Sequence, residues 1–377
     1  NMSNNGIIFC SREESIKSSR IIKRKDKTNN LSNFYKYYDC AMSKHIPFKP
    51  ELIEMLRTVD DSNPNNKDVI YNRGHLETQL TFYIGDVNFY YSINGEKFCL
   101  ETNTGGSSIK LPYIPHTFTN RNSNTNSKIL AITFSSNIAL NLINMSNIEY
   151  KNLNKIAGDI RDINKLLVLR LNRYLELNFM TKPELIKNIY ELNPNLDNLE
   201  EKINKFIYKG IYNREISIII SNILNIDYKF LEFENLKKNN DVIFKKYDNI
   251  WIEKDNLKIN KLATSKHIHN VSHFNIEIIG NSNILNSSYY QFIYNYSNTD
   301  FEFYWGKNLE FKKIIRKDDN LIIEPFINYQ FKKIKKNSKI YLAKIPGILN
   351  EQILNEFSKF DTKNKYRLCN NEKDKWW

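Results

Sequence analysis

Cysteine is scarce and dispersed in this 377-residue chain: Cys10, Cys40, Cys99 and Cys369 contain no Cys-x-x-Cys pair. That argues against a disulfide framework, and inert or buried thiols are expected. Long apolar runs are missing too. No stretch approaches the roughly 20 residues of a membrane-spanning helix, and the start of the sequence lacks the apolar segment of a secretory signal. A cytoplasmic protein is therefore the default expectation. Acidic residues are outnumbered, 42 against 55 basic, for a formal charge of +13. The surplus follows a Lys, Asn and Ile bias that runs through the whole chain, so it reads as compositional drift and nucleic acid is not expected as a partner.

What is present describes a folded protein. A hydrophobic fraction of 41% and an aromatic fraction of 13% are enough for two or three compact units. Between 66 and 135, short strand-like runs alternate with Gly, Asn and Ser turns: VIYN, QLTFYI, VNFYYSI, KFCLET, SSIKLPYI and KILAITF. From 137 to 240 the period becomes helical, as in INKLLVLRLNRYLEL and LEEKINKFIYKG. There, NREISIIISNILNIDYKFLEFENL predicts a helix-turn-helix-like pair joined at Asn225-Ile226-Asp227. From 241 to 377 the strand pattern returns as an internal repeat. YYQFIYNYSNTDFEFYWGKN resembles LTFYIGDVNFYYSINGE, and LIIEPFINYQF resembles SIKLPYIPHTF. Laid on the first copy, Ser288 falls near His75, Phe292 near Gln79 and Tyr329 at His116, so the second copy is expected to have lost every metal donor.

The stretch NRGHLETQLTFYIGD, residues 72 to 86, puts His75, Glu77, Gln79 and Thr81 on one face of a strand read at period two. A polar row facing a core needs something to bind. Residues 106 to 120, GSSIKLPYIPHTFTN, resemble the second motif of the cupin barrels, with His116 as the ligand. The first cupin motif is similar to Arg73, His75, Gln79 and Gly85. The resemblance implies two cupin (double-stranded β-helix) barrels: 1–136 metal-binding with an N-terminal extension, 137–240 helical, and 241–377 a degenerate second barrel. It also implies that His75, Gln79 and His116 form a facial triad with open positions for substrate and dioxygen. Glu77, on the same face as Gln79, is the alternative third ligand.

Upstream, SREESIKSSRIIKRKDK and FYKYYDCAMSKHIPFKPELIEMLRTVDDSNPNNKDVIYNRGH are similar to stretches of the iron-dependent phosphonate oxygenases. That resemblance covers residues 9–135 most closely. It implies Fe(II) as cofactor, dioxygen as co-substrate, and a small phosphonate held by Asn72, Tyr35, Tyr37 and Arg24, with Arg20 and Lys25 competing for the place of Arg24. Within the family the third ligand divides the members. One branch has a carboxylate four residues after the first histidine; another takes a glutamate from six residues before the last. Here those places hold Gln79 and Lys110, and a His-x-x-x-Gln pair is the pattern of the branch that forms methylphosphonate from 2-hydroxyethylphosphonate. The family also closes its site with an N-terminal lysine, a place that Lys17, Lys23 or another lysine would fill here. A homo-oligomer is expected.

Overall fold

The computed structural model describes residues 5–25, 30–44, 46–134, 162–192, 200–232, 241–265, 268, 271–346 and 351–367. Two compact units result, one made of residues 1–136 and 241–377, the other of 137–240.

The first unit is built from twenty strands in two similar sets. One seven-stranded sheet runs β11-β8-β5-β10-β4-β3-β2, from Val242–Lys245, Ser107–Lys110, Thr78–Ile84, Lys128–Phe134, Phe48–Met55, Leu31–Asp39 and Arg20–Lys25. The other runs β1-β18-β15-β20-β14-β13-β12, from Ile7–Cys10, Asn320–Ile323, Tyr290–Asn295, Ser338–Ile345, Ser272–Ile278, Leu257–Lys261 and Ile252–Lys254. Each set has a three-stranded sheet as well: β7-β6-β9 (Glu96–Thr102, Val87–Ile93, His116–Asn120) and β17-β16-β19 (Phe311–Ile315, Phe301–Trp305, Tyr329–Lys333). Within each set the two sheets enclose a separate core, one around Tyr83, Phe89, Phe118 and Ile129, the other around Phe303, Trp305, Ile315 and Phe331.

The identical sheet orders show that the repeat is a true structural duplication. Two strands cross the boundaries expected from sequence. β1, at the N-terminal end, pairs with β18 of the second barrel, and β11 pairs with β8 of the first. Each barrel thus borrows an edge strand from the other segment, which covers an otherwise open edge. A third core cluster joins the sets, with Phe82 packed 5.1 Å from Tyr341 and 5.2 Å from Tyr296. Burying side chains such as Leu80 and Phe82 completely stabilises by about 1.5–3 kcal/mol each.

Among the described residues the second unit holds four helices, Ile163–Leu177, Lys182–Leu192, Glu200–Lys209 and Arg214–Leu224. In the first of these, Leu167, Leu171 and Leu175 recur at helical spacing on the buried side. Of the expected helix-turn-helix pair, the first helix is present: capped by Asn213, it ends at Asn225 in the left-handed region (φ 52°), and a 3-10 turn over Tyr228–Phe230 follows. Residues 233–236, the rest of the stretch read as the second helix, lie outside the described residues. Among the described residues no helix is long and apolar enough to cross a membrane.

Candidate metal centre

β5 fixes the first component. It lies between β8 and β10, with Gln79 paired to Lys110 on one side and Thr133 on the other. Gln79 is buried, and its Nε2 donates to Thr81 Oγ1 at 2.8 Å, two residues along the same strand face. That bond orients the amide so that Oε1 faces His75 and Lys110.

His75 is not on the strand, as the period-two reading had it. β5 begins at Thr78, and residues 71–77 form a loop that turns at Gly74 (φ 77°). A Cβ at Gly74 would lie 2.5 Å from the Tyr113 carbonyl carbon, so the loop rests directly on the backbone that leads into β9. Tyr113 N donates to His75 O at 2.8 Å, and Asn72 ties the loop to β9. Asn72 Oδ1 accepts from His116 N (2.8 Å) and Gly74 N (3.0 Å), while Asn72 N donates to His116 O (3.0 Å).

His116, the first residue of β9, is buried, and its Nδ1 donates to Ile114 O at 2.8 Å. This bond fixes the tautomer that leaves the Nε2 lone pair available. His75 Nε2 and Gln79 Oε1 are 3.1 Å apart, and the two imidazole rings lie 5.4 Å apart at 80°. Lys110 Nζ lies among the three side chains. It sits 3.0 Å from His75 Nε2, 3.1 Å from Gln79 Oε1 and 2.6 Å from His116 Nε2, and it is also 3.0 Å from His116 Nδ1, so it rests against that ring and not in line with its Nε2; the side chain is buried.

Burial holds both imidazoles below their ordinary pKa, His116 well below, and the charge of Lys110 adds in the same direction; that of Arg24 contributes at His116. Both rings are therefore neutral donors at neutral pH. Burial likewise pushes the Lys110 ammonium well below the usual lysine range. Glu77, the rival ligand, lies on the other side of the His75 ring, with its Oε2 3.3 Å from Nδ1. That nitrogen makes no hydrogen bond among the described residues, so Glu77 acts on His75 through its charge, from the side away from Gln79 Oε1. Among the described residues no three His, Cys, Asp or Glu side chains gather. Two imidazole nitrogens and one amide oxygen gathered in one buried place fit a divalent metal held on one face.

The predicted phosphonate residues are divided by the structure. Asn72 joins the centre, with Nδ2 3.2 Å from His116 Nε2. Arg24 and Tyr35 meet instead at Thr117, the next residue of β9, whose side chain points away from that of His116. Arg24 Nη1 donates to Ile70 O (2.5 Å) and Thr117 Oγ1 (3.1 Å), and its guanidinium stacks on Phe34 and Tyr35. The Tyr35 hydroxyl bonds Thr117 Oγ1 (2.9 Å) and accepts from Phe118 N (2.8 Å), so it is committed to holding β9. Tyr37 lies edge-on to Tyr35, 6.0 Å away. Arg20 is paired with Asp39 and Glu51, and Lys17, Lys23 and Lys25 are exposed.

The second barrel corrects the repeat alignment by one residue. The shared ladders set Gln291, not Phe292, in the place of Gln79, Ile323 in that of Lys110 and Tyr329 in that of His116. The amide survives there, and Tyr329 donates to Gln291 Oε1 at 2.7 Å.

Two barrels of one sheet order, one of them with a His–Gln–His centre, make the chain a two-barrel cupin. It is a homologue of the methylphosphonate synthase of Nitrosopumilus maritimus, 29% identical over 373 residues that cover 96% of this chain and 78% of the relative. Its fold is that of the Streptomyces albus hydroxyethylphosphonate dioxygenase solved with 2-hydroxyethylphosphonate and Fe(II): TM-score 0.80, 21% identity, 97% of this chain and 82% of that one. Cadmium-bound PhpD has the same fold, with a TM-score of 0.72 at 16% identity over 97% of this chain and 85% of that one. No family model matches the chain.

Proposed function

We propose that this chain is a non-heme Fe(II), dioxygen-dependent enzyme that converts 2-hydroxyethylphosphonate to methylphosphonate and bicarbonate. In that reaction the carbon–carbon bond breaks. The hydroxyl-bearing carbon leaves oxidised as bicarbonate, the phosphonate-bearing carbon gains hydrogen to become a methyl group, and dioxygen takes up the four electrons that the substrate releases. Fe(II) held by His75, Gln79 and His116 would supply the point of chelation for substrate oxygens and the route for electrons to dioxygen.

The observation that carries this reading is the identity of the third donor. Gln79 Oε1 faces the centre beside His75 Nε2, while Lys110 stands where a carboxylate six residues before His116 would be needed for the dioxygenase outcome. A neutral amide leaves the centre one unit more positive than a carboxylate does, which favours a dianionic substrate bound directly. Asn72 Nδ2 is the donor beside the centre for a phosphonate oxygen. Arg24, held at Ile70 O and Thr117 Oγ1, would add to the same anion only its charge, which acts on His116, and Tyr37 stands beside it, edge-on to Tyr35. Tyr35 holds β9, and with it His116, in position. A cytoplasmic homo-oligomer working on a small phosphonate, and not on nucleic acid, completes the reading; Asp227, Glu232 and Glu234 put acidic side chains where a DNA-reading helix would need basic or amide ones.

The test is phosphorus NMR of the iron-loaded chain given 2-hydroxyethylphosphonate in air. Methylphosphonate is expected. Hydroxymethylphosphonate with formate would replace the assignment by the dioxygenase reaction, and an unchanged substrate signal would refute it.

A further inference from the structure

We infer that the Lys110 side chain is a tethered occupant that competes with the metal for the His75–Gln79–His116 centre, so that loading this protein requires displacement of its own lysine. The inference rests on the proposed identity of the centre but concerns a different property, its affinity. Lys110 lies directly opposite Gln79 in the β5–β8 ladder, so the two side chains leave the sheet on the same face. Its Nζ reaches all three donor atoms, at 2.6 to 3.1 Å. A metal bound to those atoms, at about 2.1 Å from each nitrogen, cannot coexist with the lysine nitrogen held there.

Lys110 Nζ meets two imidazoles and an amide, and the charge of Glu77 acts on it only from the far side of His75. Burial disfavours the charged form of that amine, so nothing in its surroundings pins it in place as an ion pair would. The second barrel shows the alternative closure. Where Lys110 stands it has Ile323, and the equivalent amide oxygen is satisfied by the Tyr329 hydroxyl without any charge. The first barrel has kept its histidines and filled the space between them with a lysine of its own.

Anaerobic equilibrium dialysis of the full chain with Fe(II) would compare the unaltered protein with Lys110→Ile, Lys110→Met and His75→Ala. Both lysine variants should bind Fe(II) at least about tenfold more tightly than the unaltered chain, the factor expected if the lysine-out state is populated below about a tenth. His75→Ala should bind none. Equal or weaker binding by folded lysine variants, with His75→Ala still deficient, overturns the inference and leaves the metal centre standing. If no form binds metal, both readings fall. A second measurement needs no variant: in 15N-lysine-labelled chain, saturating Zn(II) should shift the Lys110 Nζ resonance. A resonance unmoved at saturation overturns the inference.

Discussion

Tyr329 donates a 2.7 Å hydrogen bond to Gln291 Oε1, at the two positions that His116 and Gln79 hold in the first barrel. Both residues are buried, and Gln291 Nε2 has no hydrogen-bond partner among the described residues. The Gln291 side chain is therefore satisfied by this bond alone among the described residues. Tyr329→Phe removes it and leaves the buried amide unsatisfied. A loss of about 1–3 kcal/mol in urea unfolding is expected, with iron binding by the first barrel unchanged. A variant as stable as the parent would show that the second barrel does not depend on this closure.

Gly74 is where the histidine loop meets the backbone ahead of β9. At φ 77°, with the Tyr113 carbonyl carbon 2.5 Å from any Cβ, Gly74→Ala must both strain the turn and lift the loop. The strain alone costs about 1–3 kcal/mol. Because His75 is the next residue, metal affinity should fall along with stability. Thermal unfolding and iron content measured on the same preparation check the two effects together.

Glu77 lies behind His75 rather than beside Gln79. A carboxylate on the non-ligating nitrogen of a histidine orients the ring and raises its basicity. Glu77→Gln should lower iron affinity by about tenfold while leaving metal stoichiometry at one per chain. Abolition of binding would instead make Glu77 a ligand.

His273 sets an acid limit on stability that is independent of the metal. It is fully buried, with Nε2 donating to Ala263 O (2.9 Å) and Nδ1 accepting from the Tyr341 hydroxyl (3.0 Å). Burial pushes its pKa down from 6.5 to about 3. Between those values the unfolded chain binds a proton that the folded chain does not, so stability is complete above pH 6.5 and is lost as pH falls toward 3. At about 1.4 kcal/mol per unit of pKa shift, the effect amounts to a few kcal/mol. Denaturant midpoints from pH 7 to 4 should fall steeply for the parent and less so for His273→Gln.

Much of this was legible in the sequence, and what escaped it has identifiable causes. VNFYYSI and KILAITF are strands over their whole length, and INKLLVLRLNRYLEL is a helix end to end, because period and turn residues agree there. SSIKLPYI stops being a strand at Lys110, just ahead of Pro112, which has no N–H to offer a ladder. VIYN is loop. The exchange of β1 and β11 depends on pairing between segments more than 130 residues apart, which no local period encodes. The repeat alignment slipped by one residue, enough to turn Gln291 to the wrong face. His75 and Gln79 were identified by spacing, yet they meet through a left-handed glycine and not a shared strand face. Lys110 read as a missing ligand, and only the β5–β8 register reveals that it points to the same centre.

The charge of the third ligand leads to the last prediction. Gln79→Glu would place a carboxylate where Oε1 now lies, 3.1 Å from Lys110 Nζ and beside the position of a phosphonate dianion. Two consequences oppose each other at the metal: a carboxylate is the stronger donor, but it also pairs with the lysine that must leave. In the parent background the gain in iron affinity should therefore be small, whereas in Lys110→Ile it should be full. That difference is a coupling readable from a double-mutant cycle. For the substrate there is no such opposition. One added negative charge a few ångströms from a dianion costs enough, even at an effective dielectric constant near 20, to raise KM for 2-hydroxyethylphosphonate by at least about tenfold. Oxygen-consumption kinetics of the iron-loaded double variant would measure it, and an unchanged KM would remove charge as the reason for an amide at position 79.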